Sequence, residues 1–224
     1  MPNRRTVLKW GAVAVGAAAT APVLRAAAPH VVVVGAGAFG GWTALMLARA
    51  GARVTIVDAW GPGNMRASSG GETRVIRGSY GDRAIYTRMA ARSLRLWQDH
   101  EKRWGRELYF PTGALWMFGA DDSFARGSES VMRAEGLPFE RPALADARTR
   151  WPQIDFTGVQ SLMFEREAGY LLARQSCAVV LEQAQRAGAE YRQAAVKAGE
   201  PAKRLDAVTL GDGASLAADT FVFA

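Results

Sequence analysis

The stretch from Val31 to Asp58 constrains this chain more than any other part of it. Val31-Val32-Val33-Val34 is an unbroken β-branched run, which suits a central parallel strand buried on both faces. Gly35-Ala36-Gly37-Ala38-Phe39-Gly40 follows at once and opens a helical segment from Gly41 to Ala48. Only Arg49 in that helix is charged, so the helix is expected to pack against the sheet, with Gly51 closing it. A second strand, Val54-Thr55-Ile56-Val57, ends in Asp58, 23 residues after Gly35.

Each element of this pattern has a physical task. Gly35 permits the tight turn from strand to helix. Gly37 lets the backbone approach a pyrophosphate with no Cβ in the way, and Gly40 lets the helix pack close to the strand. The helix N-terminus directs free N–H groups and its dipole at phosphate oxygens. Asp58, at the second strand's tip, is placed to accept hydrogen bonds from an adenosine ribose. A carboxylate there repels a 2′-phosphate and argues against NADP. A bare GxGxxG is weak evidence, but strand, helix and acidic residue all stand at the right spacing. They imply dinucleotide binding without separating FAD from NAD.

The 224 residues suffice for one large domain or two small ones. Net charge is +7, yet Arg4, Arg5, Lys9 and Arg25 fall in the first 28 residues, where there is no Asp or Glu. Without those four, 24 basic residues face 21 acidic ones, and they are scattered rather than striped, which argues against nucleic acid as a partner. The single cysteine, Cys177, excludes an intramolecular disulfide and any multi-Cys metal site, and it reads as a buried structural thiol. His30 and His100 are too few and too far apart for a metal cluster and are expected at surface or boundary positions.

Residues 1–28 read as a targeting segment. Asn3-Arg4-Arg5-Thr6-Val7-Leu8-Lys9 places paired arginines before an apolar stretch, Trp10 to Leu24, and then Ala26-Ala27-Ala28. That layout points to the twin-arginine route and a periplasmic or other extracytoplasmic destination. The stretch is too short and too weakly apolar for a stable membrane span. Twin-arginine export moves proteins already folded, commonly with a cofactor loaded, which suits a nucleotide motif directly behind the signal.

Further along stands Ser68-Ser69-Gly70-Gly71-Glu72-Thr73-Arg74-Val75-Ile76-Arg77-Gly78-Ser79-Tyr80. Here the sequence resembles the glycine oxidase and sarcosine oxidase (DAO) family of FAD-dependent amine oxidoreductases, whose pattern Gly-Asp/Glu-Thr-Arg-x-Ile-Arg-x-x-Tyr is matched from Gly71 to Tyr80. The resemblance continues through Thr112-Gly113-Ala114-Leu115, Arg150-Trp151-Pro152 and Phe164-Glu165, and covers nearly everything after residue 29. It implies FAD as cofactor, with Gly35, Ala36, Gly37, Ala38, Phe39, Gly40, Asp58, Ser68, Ser69, Thr73 and Arg74 at the cofactor. It places Arg74 beside the flavin ring and Arg77 on the substrate carboxylate. A fixed cation stabilises reduced flavin, and a guanidinium clamps a carboxylate through two parallel bonds. Read directly, Arg74 and Arg77 are three apart and would share one face of a helical turn. Sarcosine oxidases carry a His-His pair where this chain has Ser69-Gly70, which argues against sarcosine itself as substrate.

The resemblance further implies an α/β fold: a Rossmann-like FAD-binding domain, residues 29–109 and 172–224, with residues 110–171 forming part of an inserted, incomplete α+β substrate domain. Ile85 to Trp104 has helical periodicity, with Ile85, Met89, Leu94, Trp97 and Trp104 expected in the core. Leu115 to Phe118 reads as a strand, Gln175 to Ala187 as a helix, Tyr191 as the lead of a strand, Val208 to Leu216 as a hairpin and Thr220 to Ala224 as a strand. Family members continue well beyond the position matching Ala224, so the chain reads as the N-terminal part of such a protein. The implied reaction is oxidation of the C–N bond of a small amino acid or N-methyl amino acid, with oxygen or another carrier as electron acceptor. Two rivals stand beside it: an NAD-dependent dehydrogenase, and a truncated, non-catalytic nucleotide-binding remnant.

Overall fold

A computed structural model describes residues 27–197, 199 and 204–224. The expected signal segment lies, up to residue 26, outside the described residues.

The β-branched run forms β1, His30–Val34, and the chain then turns through Gly35 into helix α1, Ala38–Arg49. Strand β2, Arg53–Asp58, returns parallel to β1 with His30 opposite Arg53 and Val34 opposite Val57. Two later strands complete a four-stranded parallel sheet. Strand β12, Thr220–Phe223, flanks β1, and β9, Glu190–Gln193, flanks β2, giving the order β12-β1-β2-β9. Strand geometry alternates side chains between faces, so Val31, Val33, Val54 and Ile56 enter the core shared with α1 and with helix α5, Ala173–Arg186. Val32 and Val57 face the other way, onto Val208, Leu210 and Leu216 of a hairpin. That hairpin pairs β10, Ala207–Thr209, with β11, Ser215–Ala217, and Gly213 supplies its turn at φ +92°.

Close packing explains a second glycine in α1. A Cβ at Gly41 would stand 3.2 Å from Val180 Cγ1, which marks how nearly α1 and α5 approach. Past the C-cap, Ala50, Gly51 takes φ +90° and ends α1 as the sequence requires.

Two smaller antiparallel sheets carry the middle of the chain. One has the order β3-β8-β4, from Arg74–Ile76, Gly169–Leu171 and Tyr109–Phe110. The other has the order β5-β7-β6, from Ala114–Phe118, Ser161–Glu165 and Phe139–Glu140. Helices α2 (Ala84–Trp104), α3 (Ser123–Ala134) and α4 (Leu144–Arg150) complete the element list. One apolar cluster runs from Val31 through Leu94 and Trp97 to Met132 and Met163, so the parallel sheet and the antiparallel region share a core.

Two expectations are corrected. Ile85 and Met89 are 58% and 59% exposed, whereas Leu94 and Trp97 are buried. The long α2 buries the stripe through Thr87, Ala91, Leu94 and Trp97, and Ile85 and Met89, in its first two turns, fall outside it. His30 and His100 are both buried. His30 sits at the head of a central strand, between Arg53, whose Nη2 lies 2.7 Å from Nδ1, and Thr55, whose Oγ1 lies 2.9 Å from Nε2. His100 packs edge-on against Trp42 and against Trp104, in the seam between α1 and α2. Aromatic and hydrogen-bonding partners contributed by other elements hold both rings inside.

Candidate functional site

The tips of β1 and β2 end together at one cleft. Asp58 turns its carboxylate toward the first loop, where Oδ2 accepts from the Ala36 amide at 2.8 Å. Its other oxygen accepts from the Trp60 and Gly61 amides at 2.8 and 2.7 Å. Three backbone donors thus fix one carboxylate beside the glycine loop. Val34, Gly35, Gly37, Ala38, Phe39 and Asp58 all border the resulting cleft, of about 390 Å³, and Ser68 and Ser69 stand across from them.

The three motif glycines do three different things. At Gly35, φ is +110° and a Cβ would collide with the Ala224 carbonyl oxygen. At Gly40 a Cβ would collide with the Gly35 carbonyl oxygen, so this residue seats the helix on the turn. Gly37 alone faces open space, with nothing within 4 Å of a Cβ built there. It is also the N-cap of α1, with no side-chain cap, so the helix's first amides have no intrahelical partner and lie at the cleft. An anion-binding helix end, an open glycine and a fixed carboxylate therefore converge at one place. That set fits the diphosphate and ribose of a dinucleotide. Ala36 is fully enclosed and Gly40 is buried, and both shape this loop rather than border the cleft.

Past Gly37, Ala38 and Ser69 the cleft meets a smaller apolar recess of about 140 Å³, walled by Trp42, Trp97, Leu171, Cys177 and Val180, with Arg74 at its edge. Ser176 also lines it, and its buried hydroxyl has no partner among the described residues. Burial pushes the Cys177 thiol above its ordinary value, with the Ser69 side chain and Gly63 amide pulling the other way. Arg74 folds back so that Nε and Nη2 donate to the Ser68 carbonyl, at 2.8 and 2.6 Å, and Nη1 to the Thr73 carbonyl at 2.9 Å. Gly71 is what leaves room for this, since a Cβ there would strike the Arg74 guanidinium.

Arg77 goes elsewhere. Arg74 opens strand β3 and Arg77 follows its end, so the segment is extended and the expected shared helical face does not exist. Residues three apart on a strand point to opposite sides. The Arg77 guanidinium lies over the Tyr80 ring at 4.4 Å and the Trp116 ring at 5.0 Å, and it donates to the Ser79 carbonyl. It forms no ion pair among the described residues. A groove lined by Arg77, Tyr80, Asp82, Arg83, Ser123 and Phe124 opens on that side.

Several cleft residues carried no sequence signal. Trp60, Asn64 and Arg66 line it from the loop after β2, with Arg66 stacked 4.7 Å over Trp60. Ala194, Ala195 and Val196 line it from the end of β9. Their side chains are common and their spacing unremarkable, and only the parallel register of β9 beside β2 brings them to Asp58.

A model of the family described as DAO, FAD dependent oxidoreductase, matches residues 30–224. The chain belongs to that family. Among curated relatives, monomeric sarcosine oxidase of Bacillus sp. (strain B-0618) is 30% identical over 162 residues, 71% of this chain and 41% of the relative. N-methyl-L-tryptophan oxidase of Salmonella arizonae is 27% identical over 157 residues, 70% of this chain and 42% of the relative. The chain thus spans well under half the length of the curated relatives it matches. Among solved structures, NikD, an unusual amino acid oxidase essential for nikkomycin biosynthesis, is similar in its open form at TM-score 0.70 and 27% identity, over 87% of this chain and 50% of that one. L-proline dehydrogenase from P. horikoshii shares the fold at TM-score 0.73 and 22% identity, over 88% of this chain and 52% of that one. The family is FAD-dependent, and its members related to this chain are amine and amino-acid oxidoreductases.

Proposed function

We propose that the cleft between Gly37 and Asp58 holds the adenosine diphosphate half of FAD, and that the protein oxidises the C–N bond of a small amino acid or N-methyl amino acid. The observation that carries this reading is the Asp58 carboxylate locked onto the Ala36 amide beside an open Gly37 and an uncapped helix end. Amides of Ala38 and Phe39 would meet the phosphates, and Asp58 retains acceptor capacity for a ribose hydroxyl. Ala194, Ala195 and Val196 offer small side chains against which a flat base can lie.

When bound, the flavin supplies a two-electron acceptor for the amine's C–H hydride. The chain's own residues orient and polarise. Arg74, held by Ser68 and Thr73 at the recess that continues the cleft, would supply a fixed cation to that acceptor. Arg77 carries a guanidinium that stacks on Tyr80 and has no acidic partner among the described residues, which suits it to a substrate carboxylate. No side chain is needed as base when the amine enters neutral. We assign the parallel sheet, with residues 29–109 and 172–224, to cofactor binding, and residues 110–171 to the substrate side. Oxygen or another carrier would take the electrons.

The test is direct. The purified chain is loaded with FAD, dialysed and read by its visible absorbance, with ADP and NAD titrated by calorimetry in parallel. Retained yellow colour and ADP binding support the reading. Colourless protein that binds NAD but not FAD overturns it in favour of a nicotinamide enzyme.

We further propose export by the twin-arginine route, supported by Arg4-Arg5 and the apolar stretch behind them. Among the described residues no helix is long and apolar enough to cross a membrane. Cell fractionation of the natural chain and of an Arg4→Lys, Arg5→Lys variant checks this. Equal distribution of the two sinks it.

A further inference from the structure

Glu165, at the end of β7, is 2% exposed, and no arginine or lysine pairs with it among the described residues. Four donors surround it instead. The amides of Gly78 and Ser79 approach Oε2 at 2.7 and 3.2 Å, the Ser79 hydroxyl donates to Oε1, and the Trp116 indole Nε1 donates to Oε1 at 2.7 Å. A buried carboxylate is costly unless every lone pair is used, and here neutral donors from two separate elements use them.

Those donors are the surroundings of Arg77. The carbonyl that takes the Arg77 hydrogen bond belongs to Ser79, whose amide and hydroxyl are on Glu165. One of the two rings over the guanidinium is Trp116, whose orientation is set by the same carboxylate. The backbone between them, at Gly78, is bound to Glu165 as well. Nothing in the sequence motif around Arg77 reveals this, because Glu165 stands 88 residues later.

We propose that Glu165 is the positioning residue for Arg77: one carboxylate fixes both the Ser79 carbonyl and the Trp116 face between which the guanidinium is held for a substrate carboxylate. The inference rests on Arg77 being the carboxylate clamp. Glu165→Gln keeps the shape but replaces one acceptor oxygen by an NH₂ that confronts either the backbone amides or the indole N–H. The guanidinium then loses its fixed seat while its charge remains.

The probes are acetate and its neutral isostere acetamide, titrated against the full FAD-loaded chain and followed by tryptophan emission, which Arg77 over Trp116 makes sensitive to an arriving anion. Wild type is expected to prefer acetate. Glu165→Gln should raise the half-saturating acetate concentration about tenfold, the worth of one charge-assisted hydrogen bond, and leave acetamide and FAD retention unchanged. A merely structural role would instead weaken both probes together. If Arg77→Ala loses the acetate preference while Glu165→Gln keeps it, the positioning role is overturned and the clamp stands. If Arg77→Ala binds acetate as wild type does, the clamp itself fails and the positioning role falls with it. Should Glu165→Gln not fold, Ser79→Ala and Trp116→Phe remove the donors singly, the latter read by calorimetry. Wild-type acetate preference in both overturns the proposal.

Discussion

The amide of Ala36 donates to Asp58 Oδ2 at 2.8 Å, joining the tip of one strand to the loop that leaves its neighbour. Asp58 therefore has two tasks in the structure: it holds the turn in shape, and it faces the cleft. Asp58→Asn retains one acceptor oxygen and turns an NH₂ toward amides that are themselves donors. The expected cost is about 1–3 kcal/mol of stability, the penalty for a buried donor left unmade. ADP binding should weaken at least about tenfold in addition. Calorimetric titration beside a thermal melt separates the two effects. An Asp58→Asn protein that binds ADP as tightly as wild type would remove the carboxylate from the site.

Gly37 and Gly40 predict opposite outcomes for the same substitution. At Gly37, φ is −74° and a Cβ meets empty space, so Gly37→Ala should fold normally and stay within about 0.5 kcal/mol of wild type, the gain from a less flexible unfolded chain offset by alanine's poorer fit at a helix N-cap. Its methyl group would enter the open space proposed for a phosphate, and ADP binding should fall sharply. Gly40→Ala drives a methyl into the Gly35 carbonyl and toward Ala224 Cβ, 3.3 Å away. That variant should lose about 3 kcal/mol or more and express poorly. Melting temperature and ADP affinity, measured on both, check the pair. Parallel behaviour of the two variants would mean that the loop is not built as described.

Sequence carried the nucleotide half of the molecule further than the rest. Val31 to Val34, the glycine loop and Asp58 act within one βαβ unit, so their chemistry is written in local spacing, and the parallel sheet with its returning β12 follows from it. The antiparallel strands β3, β4, β6 and β8 are two or three residues long, too short for a period to show. Helical spacing brought Arg74 and Arg77 onto one face only because strand β3 was not legible. Pairing with Tyr170 and Leu171, nearly a hundred residues away, makes that segment extended. The contacts of Glu165 and the Ala194–Val196 wall were hidden for the same reason, since what places them is tertiary register. His30 and His100 were misplaced because composition treats histidine as polar, while an arginine, a threonine and a tryptophan seam give these two rings partners indoors.

Helix α2 offers a contrast between two apolar residues on one element. Leu94 is 1% exposed and Ile85 is 58% exposed. Leu94→Ala should cost about 2–5 kcal/mol, the range for a large-to-small change in a packed core. Ile85→Ala should stay within about 0.5 kcal/mol of wild type. Denaturant midpoints at constant slope give both values. Equal losses would place the first turn of α2 in the core after all.

His30 makes folding depend on pH in a stated direction. Burial, and then the positive charge of Arg53, hold its ring below the ordinary value of 6.5; the Ala217 carbonyl, and then the Asp219 and Glu190 carboxylates, offset this only in part. The geometry says why. Arg53 Nη2 donates to Nδ1, so Nε2 carries the proton and donates to Thr55 Oγ1, and the neutral ring satisfies every partner. Protonation would set an N–H against the guanidinium. Because the folded ring binds its proton less readily than the unfolded one, this contribution to stability is complete above about pH 6.5 and is lost as pH falls from there through the lowered folded value. Thermal melts between pH 8 and pH 5 should show melting temperature falling across that lower window. A His30→Gln variant keeps a polar side chain that does not titrate there, so its curve should be flatter over the same range. Identical slopes in wild type and variant would assign the acid sensitivity to other groups.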